Sequence, residues 1–274
     1  MLNLNFALRD RRVGVAILAA FLSVAVLAPL LSPYDPHAMG VPYLSPSSAH
    51  WLGTNDIGQD ILSELLYGAR ISLFIGITAA AIITLVGMMV GIVAGYLGGK
   101  TDWILMAICN VAMVLPSFPL AIVLAAYLGG GIKSLMISIC LTAWSGTALV
   151  VRASVLQLRS AGFIRTLEAM GANSVRIMFW HIVPNISGLV LVKAALAVCS
   201  AMLAEAGLSF LGLGAETEKS WGAILHYAFF RNGVFNGYWW WYLPPVLCIS
   251  LCITGFMLLG RSRRDSASEH EVRS

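Results

Sequence analysis

The sequence predicts an all-α integral membrane protein with six transmembrane helices and both termini in the cytoplasm. Three observations carry that reading. Hydrophobic residues make up 59% of the 274 positions and charged residues only 11%, whereas soluble domains carry about a quarter charged residues. Six runs nearly free of charge recur along the chain, and about 20 apolar residues suffice for a helix to cross the hydrocarbon. Lys and Arg crowd into alternate connections, and the cytoplasmic ones hold the excess.

The first run, Val13 to Leu31, follows Arg9, Arg11 and Arg12. Its apolar core exceeds the roughly 7 to 15 residues of a cleaved signal, and Pro29 spoils the cleavage site after Ala28, so it is read as a span. Residues 32 to 70 hold Pro33, Asp35, Pro36, Pro42, Pro46 and a serine cluster, the composition of an irregular connection. A helix can resume over 56–69 and run into the second span. Residues 1 to 70 thus form an N-terminal helix and outer segment, 71 to 260 a five-helix core, and 261 to 274 a cytoplasmic tail.

The second run, Ile71 to Gly99, carries Gly87, Gly91 and Gly95 at four-residue spacing, which lets two helix backbones approach closely in lipid. Ala94 to Thr101 (AGYLGGKT) imitates a phosphate-binding loop. Its first position is Ala instead of Gly, and it follows an apolar helix instead of a strand. The third run, Trp103 to Ile132, has Pro116 and Pro119 around Ser117 and Phe118 at mid-membrane depth. A kink there is tolerated where neighbours or a cavity satisfy the freed carbonyl, so a pathway-lining kink and a packing kink both remain open. The fourth run is Ser134 to Val151, the fifth Ile186 to Ala204 with Lys193 inside it, and the sixth Asn232 to Gly260.

An N-terminus inside places Arg9, Arg11, Arg12, Lys100, Arg152, Arg159, Arg165, Arg176, Arg261, Arg263, Arg264 and Arg273 in the cytoplasm. Arg70, Lys133, Lys219 and Arg231 fall outside. The formal net charge of +4 therefore needs no nucleic acid to explain it, and Arg261, Arg263 and Arg264 read as an anchor to lipid headgroups. The outer stretch 213 to 238 holds Glu216, Glu218, Lys219 and Trp221, and Tyr238 to Tyr242 form an aromatic cluster expected at the membrane interface. Cys248 and Cys252 share a helix face without His or acid nearby, and the five histidines are scattered, so no metal site is expected.

Between the fourth and fifth spans lies a stretch of intermediate polarity, Ser160 to Asn185. Ile164, Leu167, Gly171, Val175 and Met178 fall on one helical face, with Arg165, Glu168, Ala172 and Arg176 on the other. Pro184 is expected to end that helix before the next span. An interfacial helix lying on headgroups is the plain alternative, but Gly171 in a helix interior asks for a bend or close contact.

Here the chain resembles the permeases of prokaryotic ABC importers. Their cytoplasmic loop carries an EAA-type box, matched by the frame of Gly171 and Val183-Pro184 and by His181 to Asn185. Arg165, Thr166 and Leu167 stand at the Glu-Ala-Ala positions, with Glu168 three positions late. His50 to Leu73, Gly91 to Asp102 and Glu205 to Gly214 followed by Trp221-Gly222 are similar to patterns of the dipeptide, oligopeptide and nickel subfamily, second (C-type) permease. Charge differs at several positions: Asn55 where Asp is usual, Gln59 and Glu64 where Arg is usual, Ala107 and Asn110 where Arg and Asp often occur, and Arg165 for an acid.

The resemblance implies a type I permease core with a coupling helix from about Phe163 to Met178. Phe163, Ile164, Arg165, Leu167, Glu168, Ala169, Gly171, Ala172 and Val175 would couple to an ATPase. It implies a second permease subunit, two cytoplasmic ABC ATPases that hold ATP and Mg, and an extracytoplasmic binding protein, with no cofactor or catalysis on this chain. Pro116, Ser117 and Glu205 are candidates for the translocation pathway. Lys193 and Glu205 are ionisable residues in or near a span and hence functional candidates; at twelve positions apart they cannot pair. Lys193 reads first as a residue snorkelling to the cytoplasmic side and second as a substrate contact. A secondary transporter or channel would show inverted repeats or an acidic relay, and the sequence has neither.

Overall fold

The computed structural model describes the backbone of residues 2–215 and 217–273, and the side chains of 9–215 and 217–261. Glu216 and the side chains of Arg263, Arg264 and Arg273 lie outside the described residues. Helices follow in the order α1 (Leu2–Leu31), α2 (Ile61–Leu97), α3 (Gly99–Val114), α4 (Ser117–Tyr127), α5 (Gly131–Arg159), α6 (Gly162–Ala169), α7 (Ser174–Ile177), α8 (Val183–Phe210), α9 (Trp221–Phe230) and α10 (Trp239–Arg273). Five helices are long and apolar enough to cross a membrane, and α3 with α4, taken together as one bent unit, would bring the number to six.

The break is sharper than the expected kink: α3 and α4 meet at 86°. Pro116 pushes Leu115 out of helical geometry, to φ −77° and ψ 130°. Pro119 sits in the first turn of α4, where its missing N–H would have had no intrahelical partner.

Helix α2 begins at Ile61, later than expected, because Asp60 caps it: the Asp60 carboxylate accepts the Ser63 N–H at 2.9 Å. Along α2 the glycine stripe lies against α5. A Cβ at Gly87 would stand 2.6 Å from Thr147 Cβ, at Gly91 2.6 Å from the Ala148 carbonyl, and at Gly95 2.8 Å from Val155 Cβ. Close backbone approach here gains dispersion contacts that larger residues would forbid.

Connections gather at two ends of the bundle. One end holds residues 32–60, 211–215, 217–220 and 231–238, joined by Lys219 to Glu64 at 2.8 Å, Arg231 to Asp56 at 3.3 Å and the Tyr43 and Tyr238 rings at 4.9 Å. The opposite end carries the 98–102 turn and α6 and α7. AGYLGGKT forms that turn between helices α2 and α3, with Gly98 and Gly99 at φ 68° and 55°.

The outer stretch contains an element that sequence periodicity missed. Helix α9 is capped by Ser220, whose side chain accepts the Ala223 N–H at 3.1 Å. Trp221 is fully buried and donates from Nε1 to the Leu65 carbonyl at 3.1 Å. The Tyr238 to Tyr242 cluster divides between the core and the surface. Trp241 is buried, and Trp240 packs over Gly53, leaving Trp239 exposed.

Gly91→Ala is expected to destabilise the bundle by about 1–3 kcal/mol through overpacking, whereas Gly146→Ala meets open space and should be neutral. Thermal melts of both variants in detergent check this; equal melting points would contradict the packing account.

Candidate functional site

The segment expected as one amphipathic rod is two helices separated by a built stop. Helix α6 ends in a Schellman motif: the Gly171 N–H donates to the Glu168 carbonyl at 3.0 Å and the Ala172 N–H to the Leu167 carbonyl at 3.1 Å. Gly171 takes φ +77°, with nothing within 4 Å of an added Cβ. Within this chain its role is therefore backbone conformation and not a close contact. Asn173 then caps α7 by accepting the Val175 N–H at 2.9 Å.

The stop breaks the expected face. Ile164 is fully buried and Leu167 and Ala172 partly so, packed with Ile177 of α7 and with Tyr96, Val151 and Val155 on the ends of α2 and α5. Gly171 and Val175, assigned to the same face by periodicity, are exposed, because the chain reverses its phase at the turn. Phe163, Arg165, Glu168, Ala169, Met170 and Arg176 are also exposed. Of the nine coupling candidates, Ile164, Leu167 and Ala172 anchor the element, and the other six are exposed, Glu168 also reaching the Tyr96 hydroxyl.

Pro184 does not end the helical run. Residues Met178–Ile182 form one π-helical turn, and the Val183 N–H reaches the Met178 carbonyl. The run from Ser174 to Phe210 is thus helical throughout, with Pro184 in the first turn of α8. The turn presents Phe179 and Trp180 outward, 46% and 76% exposed, beside α7.

Beneath this element, Arg152 grips Asp102 with two hydrogen bonds of 2.5 and 2.6 Å, tying the start of α3 to the end of α5. The Arg159 guanidinium lies 5.9 Å from the Tyr96 ring. The platform under α6 and α7 is therefore braced by charge as well as by apolar packing.

Of the pathway candidates, Ser117 lines a hollow of about 390 Å³ between α4, α5 and α8, with Phe118, Thr142, Ser200 and Ala204. Pro116 is exposed at the break above it. Glu205 is elsewhere. It is 1% exposed and accepts the Ser209 hydroxyl at 2.8 Å and the Ser72 hydroxyl at 3.2 Å, while Ser72 Oγ accepts the Trp221 N–H at 3.1 Å. Glu205 thus knots α2, α8 and the start of α9, consistent with holding a neighbouring span and not with lining the hollow.

The charge departures of the outer segment form one buried cluster. Asn55 Nδ2 donates to Gln59 Oε1 at 3.0 Å and to Glu64 Oε1 at 3.1 Å, and Lys219 Nζ reaches Gln59 at 2.7 Å and Glu64 at 2.8 Å. Periodicity assigns Lys219 no role. Its signal was the pairing of an odd acid at Glu64 with an isolated base far along the chain.

Residues 87–263 match the family described as binding-protein-dependent transport system inner membrane component. The chain belongs to that family. It is 36% identical over 256 residues to the dipeptide transport system permease protein DppC of Bacillus subtilis strain 168, covering 92% of this chain and 79% of the relative. It is 35% identical to the oligopeptide transport system permease protein OppC of the same organism, over 93% of this chain and 83% of the relative. The probable D,D-dipeptide transport system permease protein DdpC of Escherichia coli K12 is 33% identical over 92% and 85%. The protein is accordingly a multi-pass inner-membrane permease subunit.

Lys219→Met leaves a buried carboxylate unpaired and should cost about 3–5 kcal/mol, most of it recovered in Lys219→Met with Glu64→Gln. Chemical or thermal denaturation of the four-member cycle measures the coupling; additive single effects would contradict the pair. At the stop, Gly171→Asn should be tolerated and Gly171→Val should cost about 1–2 kcal/mol. Hydrogen exchange of α6 amides reads the difference, and equal protection in the two variants would sink the conformational account.

Proposed function

We propose that this chain is one permease of an ATP-driven peptide importer, forming half of the translocation pathway with a second, similar permease. The single observation that carries the mechanism is the surface of α6, α7 and the π turn: a short, stopped helix pair anchored from below by Ile164, Leu167 and Ile177 and open above. Such an element suits a groove on a cytoplasmic ATPase. Peptide cargo is taken from what the dipeptide and oligopeptide relatives are named for.

In this reading α6 and α7 lie in the cytoplasm, as do both termini, in accord with the Lys and Arg distribution. ATP and Mg are held, and ATP is hydrolysed, on two ABC ATPase subunits, while an extracytoplasmic binding protein delivers the peptide at the opposite end. Phe163, Arg165, Glu168, Ala169, Gly171 and Val175 form the contact surface, and the buried three transmit its displacement. A displacement of the ATPase would move α6 and α7 as a body, since the Asp102–Arg152 pair and the Ile164 cluster resist local yielding.

Phe163→Ser and Arg165→Glu are expected to lower peptide-stimulated ATPase activity of the reconstituted importer by about tenfold, the effect of roughly 1.4 kcal/mol, without lowering the amount of permease in the membrane. Unchanged stimulation in both variants would remove this surface from the coupling path. Failure of native-membrane purification to bring down a stoichiometric ATPase would overturn the importer reading itself.

A further inference from the structure

Lys193 is the one basic residue inside the apolar heart of α8, and its placement has a direction. At 3.6 residues per turn, the seven positions from Lys193 to Ser200 close almost two turns, so the two share a helix side about 10 Å apart. Ser200 and Ala204 line the hollow with Ser117 and Thr142. The opposite side of α8 is the one buried in this chain, through Val198, Met202 and Glu205. Lys193 therefore lies on the hollow's side, toward the α6 and α7 end.

Lys193 is half-buried and has no hydrogen bond or ion pair among the described residues. It stands 19 residues after Ser174 in a helical run of 37, near its middle. A charged side chain facing hydrocarbon at that depth costs several kcal/mol, and ionisable groups there face an aqueous cavity or a counter-charge. The hydroxyls of Ser117, Thr142 and Ser200 are the polar groups of the hollow's otherwise apolar lining, and Ser200 stands on the same side of α8 as Lys193. Among the described residues no carboxylate pairs with it: Glu205 is committed to Ser72 and Ser209 on the other side.

We infer that Lys193 projects into the translocation pathway and binds the anionic group of the passing substrate, the terminal carboxylate of a peptide. This rests on the importer reading above and specifies which part of the cargo the permease itself recognises. An ammonium on a flexible stem suits this task, since it supplies charge without fixed geometry and so can hold a carboxylate briefly and release it.

The test uses the reconstituted full importer and a dipeptide supplied as the free acid or as its C-terminal amide. In the native protein the free acid should be transported several-fold better. Lys193→Gln should reduce that preference toward unity by lowering free-acid uptake, Lys193→Arg should retain it, and ATPase activity without peptide should stay at the native level in both. Equal losses for acid and amide, or an unchanged preference in Lys193→Gln, would overturn the inference, pointing to a partner subunit's acid or to a snorkelling residue. A native importer that moves neither peptide would instead defeat the peptide-import reading, so the two failures are distinguishable.

Discussion

The close approach of α2 and α5 is the constraint from which the rest of the bundle takes its position. Gly87, Gly91 and Gly95 bring the two backbones together along three successive turns. One consequence appears at each end. Toward α6, Ile92, Tyr96, Val151 and Val155 form a continuous floor for Ile164 and Ile177. Toward the outer segment, α2 runs beyond the contact with α5 and offers Glu64, Leu65 and Ser72 to Lys219 and Trp221. A larger residue in the stripe would displace both surfaces together, because one stiff helix bears them.

Polar chemistry in this protein is concentrated where apolar packing cannot specify a partner. Glu205, Ser72 and Ser209 fix how α8 meets α2, and the Trp221 N–H completes the knot. Asn55, Gln59, Glu64 and Lys219 fix the irregular outer segment on the helix that follows it. Buried polar groups are expensive unless satisfied, so each set favours one arrangement over sliding alternatives. The altered charges at positions 55, 59 and 64 accordingly need no outside partner. Arg165, exposed on α6, has no such internal compensation among the described contacts, and Ala107 and Asn110 are likewise exposed, on α3.

Much of this architecture was legible in the sequence, since hydrophobic run length and glycine spacing are direct imprints of a bilayer and of close helix contact. The spans, the α2 stripe and the location of α6 and α7 followed from them. What escaped reading depends on geometry that periodicity does not encode. Ten residues of α9 are too short for a span signal, and their Ser220 cap lies within a polar stretch. The phase reversal at Gly171 comes from a left-handed backbone, so a face counted through it places Val175 on the wrong side. The ring cluster at Tyr238 to Tyr242 has interface composition, yet Trp241 serves the core, where Tyr43 and Gly233 pack against it. Ion pairs such as Asp102 with Arg152 join positions fifty apart, which only the fold brings together.

The unbroken course of the helix from Ser174 to Phe210 has a mechanical meaning. At 1.5 Å per residue its 37 residues extend about 55 Å, from the α7 surface to the Glu205 knot. The only irregularity along it is the single π turn next to α7. Tilting one end of such a beam swings the other, so the hydrogen bonds of Glu205 set the far pivot, and the π turn is where compliance is concentrated. Loosening the π turn would let the near end move while the far end stayed still, whereas loosening the Glu205 bonds would free the far end.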